Sequence, residues 1–415
     1  MKRKKKRYRL KKKFKLLLVL FLVVTIFLVI NPFKKENKVT LVKETYEYQG
    51  NIRNNTDKTI DKDIENLIIN FLNTYFRSMK ELKEYDMTTY FNNEEEAYLN
   101  QTALKVLINS RTKQLNDLKL SDVSYDITYQ DITNEDDVII VKLKEDSYLN
   151  FNFMKEVTTK IYNVVNTFYI EKVDNIYRIK KFDKEQGYFV MTKDLYSYNN
   201  TSMEEIKLEL DNILNDYNTI FDDMLKEQNV LYNRYLEYKD RTFKTCDNAY
   251  DRESARNYAI DHVLESTPSN YSMYGGNCQN YASYVLNAGG IPMDTVGSYK
   301  WKHYDSDLDE SSKESGRTSS WTGVVSFYDY AKNNTGYGLC SEVDVNTYYG
   351  EKGDIIQIGY DNLYRHTAVV VDTYMKDDNA IDLLLNSNTG DLENLPLSAY
   401  VYPLKRLIKV LGFNN

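Results

Sequence analysis

The spacing of apolar residues changes twice along this chain, and each change marks a new kind of element. Ile64, Leu67, Ile68, Phe71, Leu72 and Tyr75 recur at intervals of three and four, which predicts an amphipathic helix with one buried stripe. A second helix is expected over about 95–116, with Leu104, Leu107 and Ile108 on its face. The period then drops to two. Val123, Tyr125, Ile127 and Tyr129 alternate with Asp122, Ser124, Asp126 and Thr128, the pattern of a half-buried strand. Asn134–Asp137 reads as a turn into a strand over 138–143. A further strand near 162–170 turns at Asp174-Asn175 into 176–179. Helices followed by an antiparallel sheet give an α+β domain over 59–190. No titratable constellation stands out in it, so a spacer or partner-binding role is expected. Its element order is similar to the small cone-like domains related to nuclear transport factor 2.

The helical period returns over 201–240. Ser202 and Glu205 have the spacing of a capping box. Ile206, Leu210, Ile213, Tyr217, Ile220, Met224 and Leu231 follow a 4-3 repeat, which fits a stalk or a self-association seam. Leu208, Leu214, Phe221 and Leu225 widen the apolar face, which fits a helix packed on its own domain. Both readings stay open.

A last domain is expected over 245–412. Asp251 is placed as the N-cap of a helix containing Tyr258, Ala259 and Val263. A second helix starts at Cys278, with Tyr281, Ala282, Val285 and Leu286 at helical spacing, and Gly289-Gly290 ends it. A polar stretch over 292–320 leads to Trp321-Thr322 and a helix carrying Val324, Val325, Phe327 and Tyr328. Strands are expected at 353–358, 366–372, 381–388 and 404–411.

Charge changes the picture at the beginning of the chain. Residues 1–15 hold eleven Lys or Arg and no acid, and an apolar run from Leu16 to Ile30 follows, broken only by Thr25. This predicts a basic cytoplasmic tail (1–15) and a signal anchor or transmembrane helix over 16–33. A polar tether (36–58) follows, with everything after it outside the cytoplasm. A cleaved signal peptide is the alternative, with the same destination. The 415 residues carry a net −7, so setting aside the +11 of residues 1–15 leaves −18 for the rest. Such a remainder has no footprint for nucleic acid.

Three cysteines, Cys246, Cys278 and Cys340, make no disulfide framework, and Cys246 and Cys340 could pair or stay free. Three scattered histidines and unpaired cysteine spacings form no metal set, and no phosphate loop is present; no cofactor is expected.

The chemistry concentrates on Cys278. Gly275-Gly276 allows a sharp turn before it, and a helix N-terminus favours a negative sulfur. His366 arrives later on a strand. His366, Ala368 and Val370 share one face of that strand, and Leu384, Asn386 and Asn388 share one face of the next. A hairpin between them can set an Asn beside the imidazole. Cysteine, histidine and an amide in that chain order is the papain-like arrangement.

Six runs carry a family resemblance. They are Tyr250-Asp251-Arg252, Gly275–Ser283, Ala288–Met293, Ser320-Trp321-Thr322, Gly353–Gln357 and His366–Val371. Together they resemble the putative amidase domain of Gram-positive bacteria, a family related to CHAP and other papain-like cell-wall hydrolases. Asn277, Gln279 and Tyr281 stand where that family usually has Asp, Thr and Phe. The resemblance aligns Asn388 with a position where the family tends to carry histidine, and Asn386 stays an alternative. It implies an α+β chain ending in a papain-like cysteine hydrolase domain. Cys278 would be the nucleophile, His366 the base and then acid, and Asn388 the orienting residue. The implied substrate is an amide bond of cell-wall peptidoglycan or a peptide, cleaved through a thioester. The other readings are a catalytically silent envelope binding or assembly protein and, with an amine resolving the thioester, acyl transfer. Of the remaining candidates, His262 is expected at the surface, His303 in a loop, Trp321 in the core and Asp354 at a turn.

Overall fold

The computed structural model describes residues 47–264, 276–296, 300–303 and 317–415. The expected basic tail (1–15), signal anchor (16–33) and first part of the tether lie outside the described residues, as does Gly275. Among the described residues, no helix is long and apolar enough to cross a membrane.

The structure is a mixed α+β fold built on one twelve-stranded sheet. Strand β1 (Gln49–Asn54) comes from the stretch read as a tether and pairs parallel with β2. Helices α1 (Lys62–Glu81) and α2 (Glu94–Thr112) precede the long strands β2 (Leu120–Glu135), β3 (Val138–Phe151), β4 (Thr158–Val173) and β5 (Ile176–Lys184). Asp61 caps α1, its side chain accepting from the Asp63 backbone N–H. The periodic stripe of α1 lies on the sheet. Phe71, 2% exposed, meets the rings of Tyr90, Phe91, Phe168 and Phe182 edge-on at 4.8–5.9 Å. Burying a ring of this size contributes about 1.5–3 kcal/mol.

After a short α3 (Gly187–Leu195), the 35-residue helix α4 (Met203–Glu237) runs along the molecule. Its Ile206, Leu210, Tyr217 and Phe221 are buried, while Leu208, Ile220 and Val230 are exposed. It lies on α2 through Tyr98–Asp211 (2.9 Å), Asn109–Asn218 (2.8 Å) and Gln114–Gln228 (2.7 Å). Its last turns reach the C-terminal half. Asn346 donates to the Leu231 carbonyl, and Tyr349 donates to the carbonyl of Tyr238, each at 2.7 Å.

The C-terminal half contains β6 (Asn248–Ala249), α5 (Arg252–Asp261), α6 (Cys278–Ala288), α7 (Ser319–Thr322) and α8 (Val324–Asn333). The strands β7 (Gly338–Val345), β8 (Ile355–Tyr360), β9 (Leu363–Lys376), β10 (Asn379–Ser387), β11 (Leu392–Pro396) and β12 (Leu404–Asn414) complete it. The main sheet path runs β1-β2-β3-β4-β11-β10-β9-β8-β12-β6, with β5 paired to β4 and β7 to β12. The two halves therefore share a sheet. Their junction is narrow: Leu392 opposes Ile161 and Glu393 opposes Lys160. It is reinforced by the Lys160–Glu393 ion pair (3.0 Å) and by Thr159 donating to the Asn394 carbonyl (2.8 Å). Cys246 and Cys340 form a disulfide, which ties the segment after α4 to β7.

Candidate active site

Most of the residues in the resemblance build a frame. Asp251 caps α5 through the backbone N–H of Ser254 (3.0 Å). Arg252 reaches Asp354 at 2.9 Å, and the fully buried Asp354 also takes Lys409 (3.1 Å) and the backbone N–H groups of Glu351 and Val410 (both 2.9 Å). Asp354 thus pins α5 to the sheet. Tyr250 donates to the Gly353 carbonyl at 3.1 Å. A Cβ at Gly353, where φ is +81°, would stand 2.7 Å from the Tyr250 hydroxyl, so both the conformation and the space require glycine.

Helix α6 begins at Cys278 and packs against β9. Its N-cap Asn277 accepts with its side chain from no backbone N–H of the helix. Its side chain donates to Asn388 Oδ1 (2.9 Å) and accepts from Asn280 (2.8 Å), and its backbone N–H donates to Thr389 Oγ1 (2.8 Å). Trp321 donates to Asn280 Oδ1 at 2.8 Å, so a row of amides runs from Asn388 to Trp321. Gln279 Oε1 accepts from Thr367 Oγ1 (2.8 Å) and Gln357 Nε2 (3.3 Å), which fixes the first turn of α6 on β8 and β9. The departures Asn277 and Gln279 are thus both absorbed into structural hydrogen bonds. Trp321 is fully buried against Trp301, with His303 beside it at 5.0 Å between centroids. His262 is half-buried against Tyr258 at 4.0 Å, less open than expected.

Cys278 is a free, buried thiol. Burial pushes its pKa up, against the backbone N–H groups of Thr367, Gln279 and Cys278 itself, which pull it down. The helix N-terminus therefore supplies the expected donors, but desolvation outweighs them. Thr367, which Gln279 of α6 bonds, is the neighbour of His366 on β9.

His366 is half-buried, and burial lowers its pKa to about 4, so the resting imidazole is neutral. Its Nε2 lies 2.6 Å from Ser387 Oγ. Neither expected asparagine is its partner. Asn388 is spent on Asn277 and, at 2.8 Å, on the Val263 carbonyl, while Asn386 accepts from the Asn394 backbone N–H (2.9 Å). The hairpin register explains the change. The turn sets Asn379 opposite Lys376, and two irregularities, between Ala380 and Asp382 and between Leu384 and Leu385, cancel, so that Asn386 opposes Val369. Side chains alternate along a strand, so Ser387 and not Asn386 or Asn388 falls on the His366 side.

His366 lines a cleft of ≈ 440 Å³ between the two halves, with Tyr400 and the turn Thr389–Asp391 along it. The Tyr400 hydroxyl is buried without a hydrogen-bond partner among the described residues. Burial raises its pKa, and a charge on Cys278 would raise it further. Ser387 could have been read from the sequence by placing the hairpin turn at Asp377-Asp378 and counting back along both strands. Tyr400, lying after a short 3-10 turn, carries no local signal.

Residues 249–410 match the family model described as "Putative amidase domain", the family that the six runs resemble. This match points to a hydrolase of amide bonds. No curated protein matches the chain, and no solved structure does.

Proposed function

We propose that the protein is a membrane-anchored, extracytoplasmic cysteine amidase that cleaves an amide bond of cell-wall peptidoglycan through a thioester. The observation that carries this reading is the position of Cys278. It opens a helix whose first turn is fixed on β9 through Gln279 and Thr367, next in sequence to His366, and His366 lines the cleft. Starting from a neutral thiol and a neutral imidazole, His366 accepts the thiol proton as the sulfur attacks the amide carbon. The Cys278 backbone N–H is the natural donor to the oxyanion. The tetrahedral intermediate then collapses. The C–N bond breaks, His366 protonates the leaving amine, and water activated by His366 hydrolyses the thioester. Ser387 takes the orienting role that the resemblance gave to Asn388.

The Cys246–Cys340 disulfide supports an oxidising compartment, as do the basic residues 1–15 ahead of the apolar run at 16–33. Digestion of purified cell wall by the intact protein and by Cys278→Ala tests the reading, with new end groups identified by mass spectrometry. The intact protein is expected to release ends that the variant does not. Identical digests would sink the proposal.

The burial that raises the Cys278 thiol favours a second reading, a silent domain in an envelope binding protein. Alkylation near neutral pH separates the two. Under the amidase reading Cys278 is expected to react within minutes, and under the silent reading it stays unlabelled until the protein is denatured.

A further inference from the structure

Among the described residues of the N-terminal half two cations are buried, Lys184 and Arg111, and they are treated differently. Lys184 is paired: its Nζ lies 2.6 Å from Glu145 and 3.3 Å from Asn166 Oδ1, and it stands over the Tyr75 ring at 4.8 Å. Arg111, on α2, is 4% exposed and has no carboxylate. Its Nη1 meets only the thioether of Met79, at 3.6 Å, and its guanidinium lies 5.5 Å from the Phe151 ring centroid. Its Nε is buried with no hydrogen-bond partner among the described residues. An isolated buried guanidinium is costly, because it forfeits hydration without a counter-charge. Arginine is also the side chain best shaped to bind a carboxylate through two parallel hydrogen bonds.

Arg111 lines the same ≈ 440 Å³ cleft as His366 and Tyr400. That volume falls within the range of small-molecule sites. Arg111 stands on the N-terminal wall and His366 on the C-terminal wall.

We propose that Arg111 binds a free carboxylate of the ligand, so that the cleft selects acyl-amine compounds bearing a carboxylate beyond the bond presented to Cys278. The assignment of the reacting bond rests on the amidase reading; the carboxylate site does not. The N-terminal half then supplies substrate specificity instead of acting as a spacer.

The test is calorimetric titration of the full chain carrying Cys278→Ala with N-acetyl-dialanine, as the free acid and as its C-terminal carboxamide. The acid is expected to bind at least tenfold more tightly. Arg111→Gln is expected to abolish that preference while leaving the melting temperature unchanged or higher, because it removes an unpaired buried charge. Arg111→Lys should keep part of the preference. Equal binding of acid and amide, no binding of either, or a preference that survives Arg111→Gln would each overturn the site. The comparison of acid with amide is made first on intact Arg111, so it decides the matter even if a variant fails to fold. Chemistry is switched off in this background, so a negative result counts against Arg111 and leaves Cys278 to be judged by the cell-wall digest.

Discussion

The imidazole of His366 is held by the hydroxyl of Ser387, at 2.6 Å, and not by either neighbouring asparagine. This divides the labour at the end of β10. Under the proposed mechanism Ser387 orients the base, and Asn388 joins the following turn to the start of α6. Ser387→Ala should lower kcat roughly tenfold to a hundredfold with little change in melting temperature, a part of the ~10²–10⁴ that a positioned base contributes. Asn388→Ala should instead cost about 1–3 kcal/mol of stability, since it leaves the side-chain N–H of Asn277 and the Val263 carbonyl without that partner. Steady-state kinetics and thermal melts on both variants check the split. Equal losses of rate from the two would contradict it.

The pH profile follows from the two resting groups. His366 must be neutral to accept a proton, so kcat/KM should rise as pH increases through about 4. The alkaline limb belongs to a thiol held above its usual value, so a broad plateau across neutral pH is expected. An ion-paired thiolate would instead give a narrow bell, and rate measurements from pH 3 to pH 9 distinguish the two.

The same histidine links stability to pH. Its folded pKa, about 4, lies below the ordinary 6.5, so the unfolded chain binds its proton first on acidification. The contribution is full above about 6.5 and is lost as pH falls towards 4. Melting curves of the wild type and His366→Gln should therefore converge or cross on acidification within that window. Parallel curves would contradict the assigned burial.

The disulfide offers a check independent of chemistry. Cys246 and Cys340 are 94 residues apart in sequence, and closing a loop of that length restricts the unfolded chain by an amount worth about 4–5 kcal/mol. The double variant Cys246→Ser, Cys340→Ser should lose roughly 2–5 kcal/mol in denaturant unfolding, while the alkylation rate of Cys278 in the folded protein stays the same.

Asp354 carries a structural load rather than a catalytic one. It is fully buried beneath Arg252 and Lys409. Asp354→Ala should destabilise the fold by roughly 1–3 kcal/mol, because it leaves the backbone N–H groups of Glu351 and Val410 without their acceptor and leaves Arg252 and Lys409 only Glu351 as a carboxylate. A soluble, stable Asp354→Ala protein with lowered kcat would reverse that view.

Local patterns made much of this readable. The stripe from Ile64 to Tyr75, the alternation in β2, the capped α5 and the start of α6 at Cys278 all depend on neighbours within a few positions. What escaped depends on distant pairing. Ser387 faces His366 because the turn at Asp377-Asp378 sets how β10 lies against β9, and Arg111 reaches the cleft only because β4 meets β11. The buried cations of the first half gave no signal either. Lys184 and Arg111 lie 73 positions apart and read in isolation as surface residues.

The β4–β11 junction bears on how this protein can be handled. Excising residues 245–412 on the strength of the family match would leave β11 as a bare sheet margin with its amides unanswered. Raw margins of that kind recruit other chains. A fragment chosen for its catalytic motifs would thus be prone to precipitate and would lack one wall of its cleft, so inactivity in such a fragment would say little about the enzyme.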